Sequence, residues 1–372
     1  MSEVIMIGCD LHDRSMLCRY SVGTGEPQQA SFSNDTEGRG RLIDKLRAVA
    51  RAHGAERIVF VYEASGQGYG LSDLLHDHGI ECHVLSPTHL PKTPKRAKQK
   101  TDARDAQMLL EHVRGFVLAG NELPVVWTPP QRLRDDRELV RARIDLADEI
   151  TRLKLQVLSL LKRRGIAKPT TYNGYWGKAF LRWLQQEVLP RLDPTVAVVL
   201  ESWMARYEWL QKERTRLEKA LVQLSRTPRY QVPCAELRKV PGVGLVSALT
   251  FLTEMGDLNR FQNRREVAAY LGLCPSSFET GETSDRKGRI TRQGPARLRK
   301  ILCQAAWMSL RYSAEAGRRY DRIKQGQRQR TKKALVALMR HLALTMWHRA
   351  QACGVSCELQ GRGGPYGLPD AA

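Results

Sequence analysis

Two short apolar runs, each ending in an acidic residue, constrain the fold of this chain more than any other feature of its sequence. The first run is Val4–Asp10 and the second is Arg57–Glu63. Their length and apolar content are typical of buried strands. A helical pattern over Thr36–His53 lies between them. The sequence therefore predicts a layered α/β domain at the front of the chain.

Further elements follow the same alternation. Strands are predicted over Ser15–Val22, Gln29–Ser33 and Glu81–Leu85, and a helix is predicted over Tyr69–His78. Three strands followed by alternating helices and strands is the order of RNase H-like domains. Strand–helix alternation by itself also fits many other α/β folds.

Four acidic residues fall where such a fold would bring them together. Asp10 and Glu63 end strands that are parallel neighbours in an RNase H-like sheet, and Asp102 and Asp105 share one helical face at spacing i, i+3. Phosphodiester chemistry with two metal ions needs converging carboxylates that hold two Mg²⁺ ions about 4 Å apart. We therefore expect these four acids to be catalytic metal ligands, although each acid alone fits a turn or helix cap.

The charge of the chain predicts a polyanionic partner. Lys and Arg number 60 against 39 Asp and Glu, so the net charge is +21. The basic residues are clustered without a broad amphipathic lipid-binding face, which favours nucleic acid over a membrane surface. The cluster residues expected to bind nucleic acid are Lys92, Lys95, Arg96, Lys98, Lys100, Arg286, Lys287, Arg289, Arg292, Arg297, Arg299 and Lys300.

The sequence gives no sign of export or membrane insertion. It has neither a basic-then-apolar N-terminal signal nor a run approaching the roughly 20 apolar residues of a membrane span. Its eight cysteines are scattered and form no CxxC pair. We expect a soluble cytoplasmic protein with reduced thiols that associates with the nucleoid.

The middle of the chain has two heptad-like seams. Their positions are Leu139, Arg143, Leu146, Ile150, Leu153, Val157, Leu160 and Arg164 in the first, and Val196, Leu200, Trp203, Tyr207, Leu210, Arg214, Leu217, Leu221 and Leu224 in the second. The alternating 4,3 spacing predicts long coiled-coil helices. They pack either on each other or on a second subunit, and we favour a dimerising element.

The last part of the chain is basic and predicted to be helical. Residues 237–248 indicate two helices joined by a tight Pro-Gly-Val-Gly turn, in which Gly242 and Gly244 let the backbone approach a phosphate. Tyr270–Gly281 is predicted to be a polar loop. An ordinary turn explains the two glycines equally well.

Together these motifs resemble those of the DEDD transposases of insertion sequence family 110, relatives of the Piv DNA invertase that act as bridge-RNA-guided recombinases. The resemblance runs from Val4 to about Ala350. The motifs that carry it are Ile7–Asp10, Glu63–Tyr69, Lys100–Ala106, Val240–Gly244, Arg260-Phe261, Tyr270–Pro275, Gly288–Gly294 and Leu298-Arg299.

The resemblance implies a RuvC-like domain with four Mg²⁺-binding acids, a coiled-coil assembly region and a helical transposase domain. The corresponding expected boundaries are 1–125, 126–234 and 235–355, with a flexible tail over 356–372. The resemblance also implies a homo-oligomer, a dimer or tetramer, that acts on donor and target DNA selected by a structured guide RNA.

The family's nucleophilic serine is replaced in this chain. The Ser-Gly pair that follows the Gly-Leu-x-Pro motif by five residues falls here on Thr280-Gly281. We assign the nucleophile to Thr280, with Ser276, Ser277 and Ser284 as nearby substitutes. Two other functions remain open: a hydrolytic RuvC-like nuclease that cuts branched DNA without a covalent intermediate, and an inactive nucleic-acid-binding remnant.

Overall fold

The computed structural model describes residues 3–90, 101–170, 174–280, 283–354 and 357–362. The chain divides into two compact units. The first unit consists of Met1–Pro130, Asn259–Gly294 and Leu359–Ala372, and the second of Gln131–Leu258 and Pro295–Glu358. The domain boundaries expected from the sequence stay a prediction.

The strands in chain order are β1 (Val4–Leu11), β2 (Ser15–Val22), β3 (Gln28–Ser33), β4 (Arg57–Glu63), β5 (Glu81–Leu85), β6 (Pro275–Thr280) and β7 (Thr283–Ile290). The helices are α1 (Thr36–His53), α2 (Gly70–Asp77), α3 (Asp102–Ala119), α4 (Gln131–Arg163), α5 (Lys178–Trp183), α6 (Pro194–Ser225), α7 (Pro228–Arg238), α8 (Leu245–Met255), α9 (Arg264–Tyr270), α10 (Ala296–Tyr312), α11 (Ala314–Lys324) and α12 (Thr331–Ala352). The strands and helices predicted before residue 90 agree with these bounds to within one residue at each end.

A five-stranded mixed sheet forms the centre of the first unit, with strand order β3-β2-β1-β4-β5. β1 pairs in parallel with β4 and antiparallel with β2, and β5 adds in parallel to β4. This sheet and its helices are consistent with the RNase H-like domain expected from the sequence.

Alternation along β1 divides its side chains between two apolar layers. Ile5, Ile7 and Cys9 pack in one cluster with residues of α1 and α2, whereas Met6 packs in another with residues of α3. Because successive side chains of a strand point to opposite faces, both faces of β1 are covered. This double burial explains the unbroken apolar run in the sequence.

Gly8 sets how closely α3 approaches the sheet. A Cβ atom at Gly8 would lie 2.2 Å from the backbone nitrogen of Leu110 and 2.5 Å from the carbonyl oxygen of Ala106. Both atoms belong to the backbone of α3, so no side-chain rotation could relieve the clash. The helix therefore rests directly on β1 because residue 8 has no side chain.

The first unit also contains an antiparallel hairpin of β6 and β7, in which Thr280 pairs with Thr283. This corrects the expectation of a polar loop over Tyr270–Gly281, because residues 275–280 form a strand, and it adds a hairpin to a region predicted to be helical. The strand lacks the alternating apolar pattern that identifies strands in a sequence. Its pairing partner β7 supplies the missing hydrogen bonds.

In the second unit, the two long helices α4 and α6 pack on each other. Leu160 of α4 clusters with Leu200 of α6, and Ile150 clusters with Tyr207, so that the helices run antiparallel. The heptad-like seams thus cover one another within the chain. Dimerisation stays a prediction, and a subunit interface would have to use other faces of these helices.

Ion pairs join α4 to its neighbours in the second unit, and the pair of Asp136 and Arg229 is buried. Arg229 of α7 donates two hydrogen bonds of 2.8 Å to the carboxylate of Asp136, and Tyr230 donates a third of 2.9 Å. Arg141 pairs with Glu254 of α8 at 2.8 Å. Since each charged group has hydrogen-bonding partners, these contacts fix how α7 and α8 lie along α4.

In the part of the chain that the structure describes, every helix is too short or too polar to cross a membrane.

Candidate functional site

Asp10 and Glu63 lie next to each other at the carboxyl edge of the central sheet. In the parallel pairing of β1 and β4, Cys9 is opposite Tyr62, and the two acids are the next residues of their strands. Met6, Val59 and Val61 share the α3 layer. By strand alternation, Asp10 and Glu63 continue that same face.

Asp102 and Asp105 belong to the first turn of α3. Thr101 is the N-cap residue, and the amide groups of Arg104 and Asp105 donate to its carbonyl oxygen at 2.9 and 3.1 Å. The N-terminal end of a helix favours negative charge, because its amide groups point outward without helical partners. Two acids are therefore tolerated side by side at this position.

The structure brings Asp102 to Asp10, and His12 lies between them. The Nε2 atom of His12 is 3.1 Å from an oxygen of Asp10 and 3.4 Å from an oxygen of Asp102. Each of the three residues offers a ligand atom within 4.8 Å of the others. Hereafter, the acid cluster means Asp10, Glu63, Asp102 and Asp105 together with His12.

Burial raises the pKa of the Asp10 carboxyl group above its ordinary value. His12 opposes this shift, whereas the charges of Asp102 and Asp105 add to it. The side chain of Asp10 is 18% exposed. The ionised carboxylate is thus held in a partly desolvated and negatively charged environment, where a bound cation would stabilise it.

The donor set of the acid cluster fits a divalent metal ion. Carboxylate oxygens are the ligands that hard cations such as Mg²⁺ prefer, and an imidazole nitrogen is also a common metal ligand. Asp105 lies three residues after Asp102 on the same side of α3. The site is therefore a candidate metal centre.

The sequence analysis missed His12. A signal was available, since His12 directly follows the end of β1 and only Leu11 separates it from Asp10. The turn holds the backbone of His12 in place. The amide of His12 donates to the carbonyl of Ser15 at 2.9 Å, and the side-chain amide of Asn34 donates to the carbonyl of His12 at 2.7 Å. In the same loop, Asp13 accepts a hydrogen bond from Gln67, which follows β4.

Several residues expected to bind nucleic acid are among those that the structure does not describe. These are Lys92, Lys95, Arg96, Lys98 and Lys100, in the segment 91–100, and the side chains of Arg286 and Lys287, for which the structure describes the backbone alone. The side chain of Thr280, the expected nucleophile, is not described either. Ser277 and Ser284 have undescribed side chains for the same reason. Ser276 donates to the carbonyl of Arg289 at 3.0 Å, so its hydroxyl is engaged across the hairpin.

The remaining basic residues expected to bind nucleic acid lie in two places, at the end of β7 and in α10. Arg289 and Arg292 are exposed in and after β7, and Arg292 has a left-handed backbone with φ of 59°. Arg297 pairs with Asp145 at 2.9 Å, and Lys300 pairs with Asp148. Arg299, also in α10, is half-buried. Exposed pairs of this kind contribute little stability, and nucleic-acid binding by these two residues stays a prediction.

Gly242 and Gly244 lie in the turn between α7 and α8. Gly242 has a φ of +90°, and a Cβ atom there would lie 2.3 Å from the carbonyl oxygen of Ala305 in α10. A Cβ atom at Gly244 would meet open space. The glycine at position 242 is thus required by packing, whereas the backbone at Gly244 has room for a side chain.

A central mixed sheet with an acid cluster at its edge defines a class of nucleic-acid-processing proteins, and comparison with known families narrows it. The family model for IS110-type DEDD transposases matches residues 7–165. The model described as transposase IS116/IS110/IS902 family matches residues 234–322. The chain belongs to the IS110 family of transposases, which are DNA recombination enzymes.

Individual relatives agree with this assignment. The y4qE protein of Sinorhizobium fredii, named as a transposase, is 34% identical over 269 residues, which are 71% of this chain and 61% of that relative. The y4rJ protein of the same organism, also named as a transposase, is 27% identical over 365 residues, covering 92% of this chain and 90% of y4rJ. A pilin gene-inverting protein of Moraxella lacunata is 26% identical over 319 residues, 85% of this chain and 86% of that protein.

Proposed function

We propose that this chain cuts and rejoins DNA for the insertion and excision of a mobile element, with the acid cluster as its catalytic metal centre. The observation that carries the proposal is the approach of Asp10, His12 and Asp102 within 4.8 Å at the carboxyl edge of the sheet. Two distant segments of the chain, the end of β1 and the first turn of α3, contribute to this one point, which a structural role does not require.

The acids have different tasks in this proposal. Asp10 and Glu63 are held by paired strands, so they form the rigid floor of the site, and Asp102 and Asp105 close it from the first turn of α3. Two bound Mg²⁺ ions would stabilise the attacking and leaving oxygens of the phosphodiester. His12 orients the carboxylates of Asp10 and Asp102 toward each other.

We further propose that Thr280 provides the attacking hydroxyl. Its oxygen would form a bond to phosphorus while the bond from phosphorus to the leaving deoxyribose oxygen breaks. The hairpin that contains Thr280 belongs to the same compact unit as the acid cluster, which supports this role. The exposed Arg289 on β7 is a candidate for neutralising the phosphate charge.

A structured guide RNA and a homo-oligomer, a dimer or tetramer, complete the proposal. Its support is the net charge of +21 together with the separate basic clusters, which exceed what a short DNA footprint needs. The family membership points in the same direction.

Suicide DNA substrates test the chemistry. If Thr280 is the nucleophile, wild-type protein forms a covalent protein–DNA adduct and Thr280→Ala forms none, while Thr280→Ser retains or exceeds wild-type activity because serine lacks the crowding methyl group. An adduct that persists in Thr280→Ala but vanishes in Ser277→Ala or Ser284→Ala would transfer the role to that serine.

The second candidate function is a hydrolytic RuvC-like nuclease. The threonine at position 280 favours it, because the residue expected of a covalent mechanism is absent. Metal-dependent cleavage of branched DNA without any trapped adduct would identify this activity. An inactive remnant would show neither cleavage nor adduct.

A further inference from the structure

An exposed aromatic face lies at the C-terminal end of α10. Tyr312 is 70% exposed and Trp307 is 45% exposed, and Met308 is also exposed. Met308 and Tyr312 are four residues apart and share one side of the helix, whereas Trp307 lies about 100° around the helix from Met308. Exposed apolar side chains that are contiguous in this way commonly mark a binding site.

The turn between α7 and α8 forms the other wall of a groove beside this face. The turn lies directly on α10, because a Cβ atom at Gly242 would be only 2.7 Å from the backbone nitrogen of Ser309. A groove of about 430 Å³ runs along the contact, lined by the turn residues and by Met308 and Tyr312. Its walls belong to the second unit alone.

The charged side chains that line the groove are both basic. They are Arg238 and Lys239, at the end of α7, and both are exposed. Lys239 forms an i,i+3 ion pair with Glu236, an exposed interaction that contributes little and competes poorly with phosphate. On the α10 side, Arg311 is exposed one turn after Trp307.

Trp307 is held in position from behind. The centroid of its ring is 6.3 Å from the ring centroid of Tyr320, a buried residue of α11. An aromatic side chain that is both exposed and supported loses little conformational freedom when a ligand stacks on it. The groove itself therefore combines the apolar surface of Met308 and Tyr312 with a basic rim, and Trp307 lies beside it.

We propose that this groove binds a nucleic-acid strand with an unpaired base, which stacks on Tyr312 while Arg238 and Lys239 contact the adjacent phosphates. Stacking on an aromatic face requires a base free of its helical neighbours, and every base offers such a face. A second protein fits less well, since the basic lining demands an acidic strip beside an apolar one. This inference rests on the proposed nucleic-acid function and names a second contact within it, away from the acid cluster.

The test compares binding of a fluorescent single-stranded oligonucleotide and of its duplex to the full-length protein. Tyr312→Ala is expected to weaken single-strand binding about tenfold, whereas Tyr312→Phe retains it because the stacking face is kept. Duplex binding stays near the wild-type value in both. Trp209→Ala is the matched control, since Trp209 is 59% exposed on α6 outside this groove, and it is expected to bind as wild type. Circular dichroism establishes that each variant is folded.

A 5-iodouracil-substituted strand gives an independent readout, with the photocrosslink expected at Tyr312 or Trp307 by mass spectrometry. Unchanged single-strand binding by Tyr312→Ala, an equal loss in Trp209→Ala, or a change of oligomeric state in place of a binding loss would overturn the inference. If the wild-type protein bound neither strand nor duplex, the proposed function itself would fail. These results are therefore distinguishable.

Discussion

Asp10 is the residue on which the acid cluster depends most. His12 and Asp102 both approach its carboxylate, and burial together with nearby negative charge raises its pKa. The features that make the ionised acid costly to hold are those that a bound cation would offset. Such a residue indicates a functional role, because it lowers the stability of the fold when no cation is bound.

Replacing Asp10 by asparagine tests whether this residue contributes to activity at the expense of stability. We expect Asp10→Asn to lose strand cleavage while its thermal midpoint stays the same or rises, because a neutral side chain of the same shape removes repulsion within the acid cluster. Cleavage assays in Mg²⁺ and thermal unfolding measure the two effects. Asp44→Asn, at an exposed position on α1, is the control and should change neither. Wild-type cleavage by Asp10→Asn would exclude Asp10 from the metal centre.

At the scale of elements, the contact between α3 and β1 decides whether the acids meet. Gly8→Ala places a methyl group 2.2 Å from the backbone of α3, so the helix must move. We expect a loss of about 1–3 kcal/mol in the free energy of unfolding and a strong loss of cleavage, since Asp102 and Asp105 move with the helix. Denaturant titration and cleavage assays measure both.

Gly40→Ala is the matched control for this substitution. Gly40 lies inside α1, and an added Cβ atom there would have no neighbour within 4 Å. Alanine should stabilise the helix by about 0.5–1 kcal/mol and leave cleavage unchanged. If Gly8→Ala behaved like Gly40→Ala, close packing of α3 would not be what positions the acids.

The ion pair between Asp136 and Arg229 tests how the helices of the second unit are held. Asp136→Ala leaves the guanidinium of Arg229 and the hydroxyl of Tyr230 buried without their shared acceptor. We expect a loss of about 3–5 kcal/mol in the free energy of unfolding, measured by denaturant titration. The exposed pair of Asp145 and Arg297 provides the comparison, and Asp145→Ala should cost less than about 1 kcal/mol. Similar losses for both would show that burial does not distinguish the two pairs.

At the scale of the whole molecule, the net charge of +21 predicts how the chain handles polyanions. Purified protein is expected to carry or require a specific element-encoded RNA, and its binding should weaken steeply as salt rises, because each phosphate contact releases counterions. Filter binding over a salt series and recombination before and after RNase treatment measure this. Unchanged recombination rate and target choice after complete RNA removal would contradict the guide-RNA proposal.

The sequence by itself determined the elements of the central sheet and the two long helices. Their signals are local, since a run such as Val4–Asp10 or a seam such as that of α4 shows its burial through the spacing of its own apolar residues. It also placed Asp10 and Glu63 at strand ends, and parallel pairing made them neighbours. The hairpin of β6 and β7 was missed because a strand with few apolar residues is defined by its partner.

Only the tertiary structure decided which residues from distant segments meet. The position of α3 depends on a backbone contact across Gly8, and His12 reaches Asp102 because of that contact. The exposure of Tyr312 beside the turn at Gly242 likewise follows from how α10 packs, since its sequence fits a buried position equally well. Such contacts join residues far apart in the chain, and their free energy depends on shape and distance, which no local pattern of residues contains.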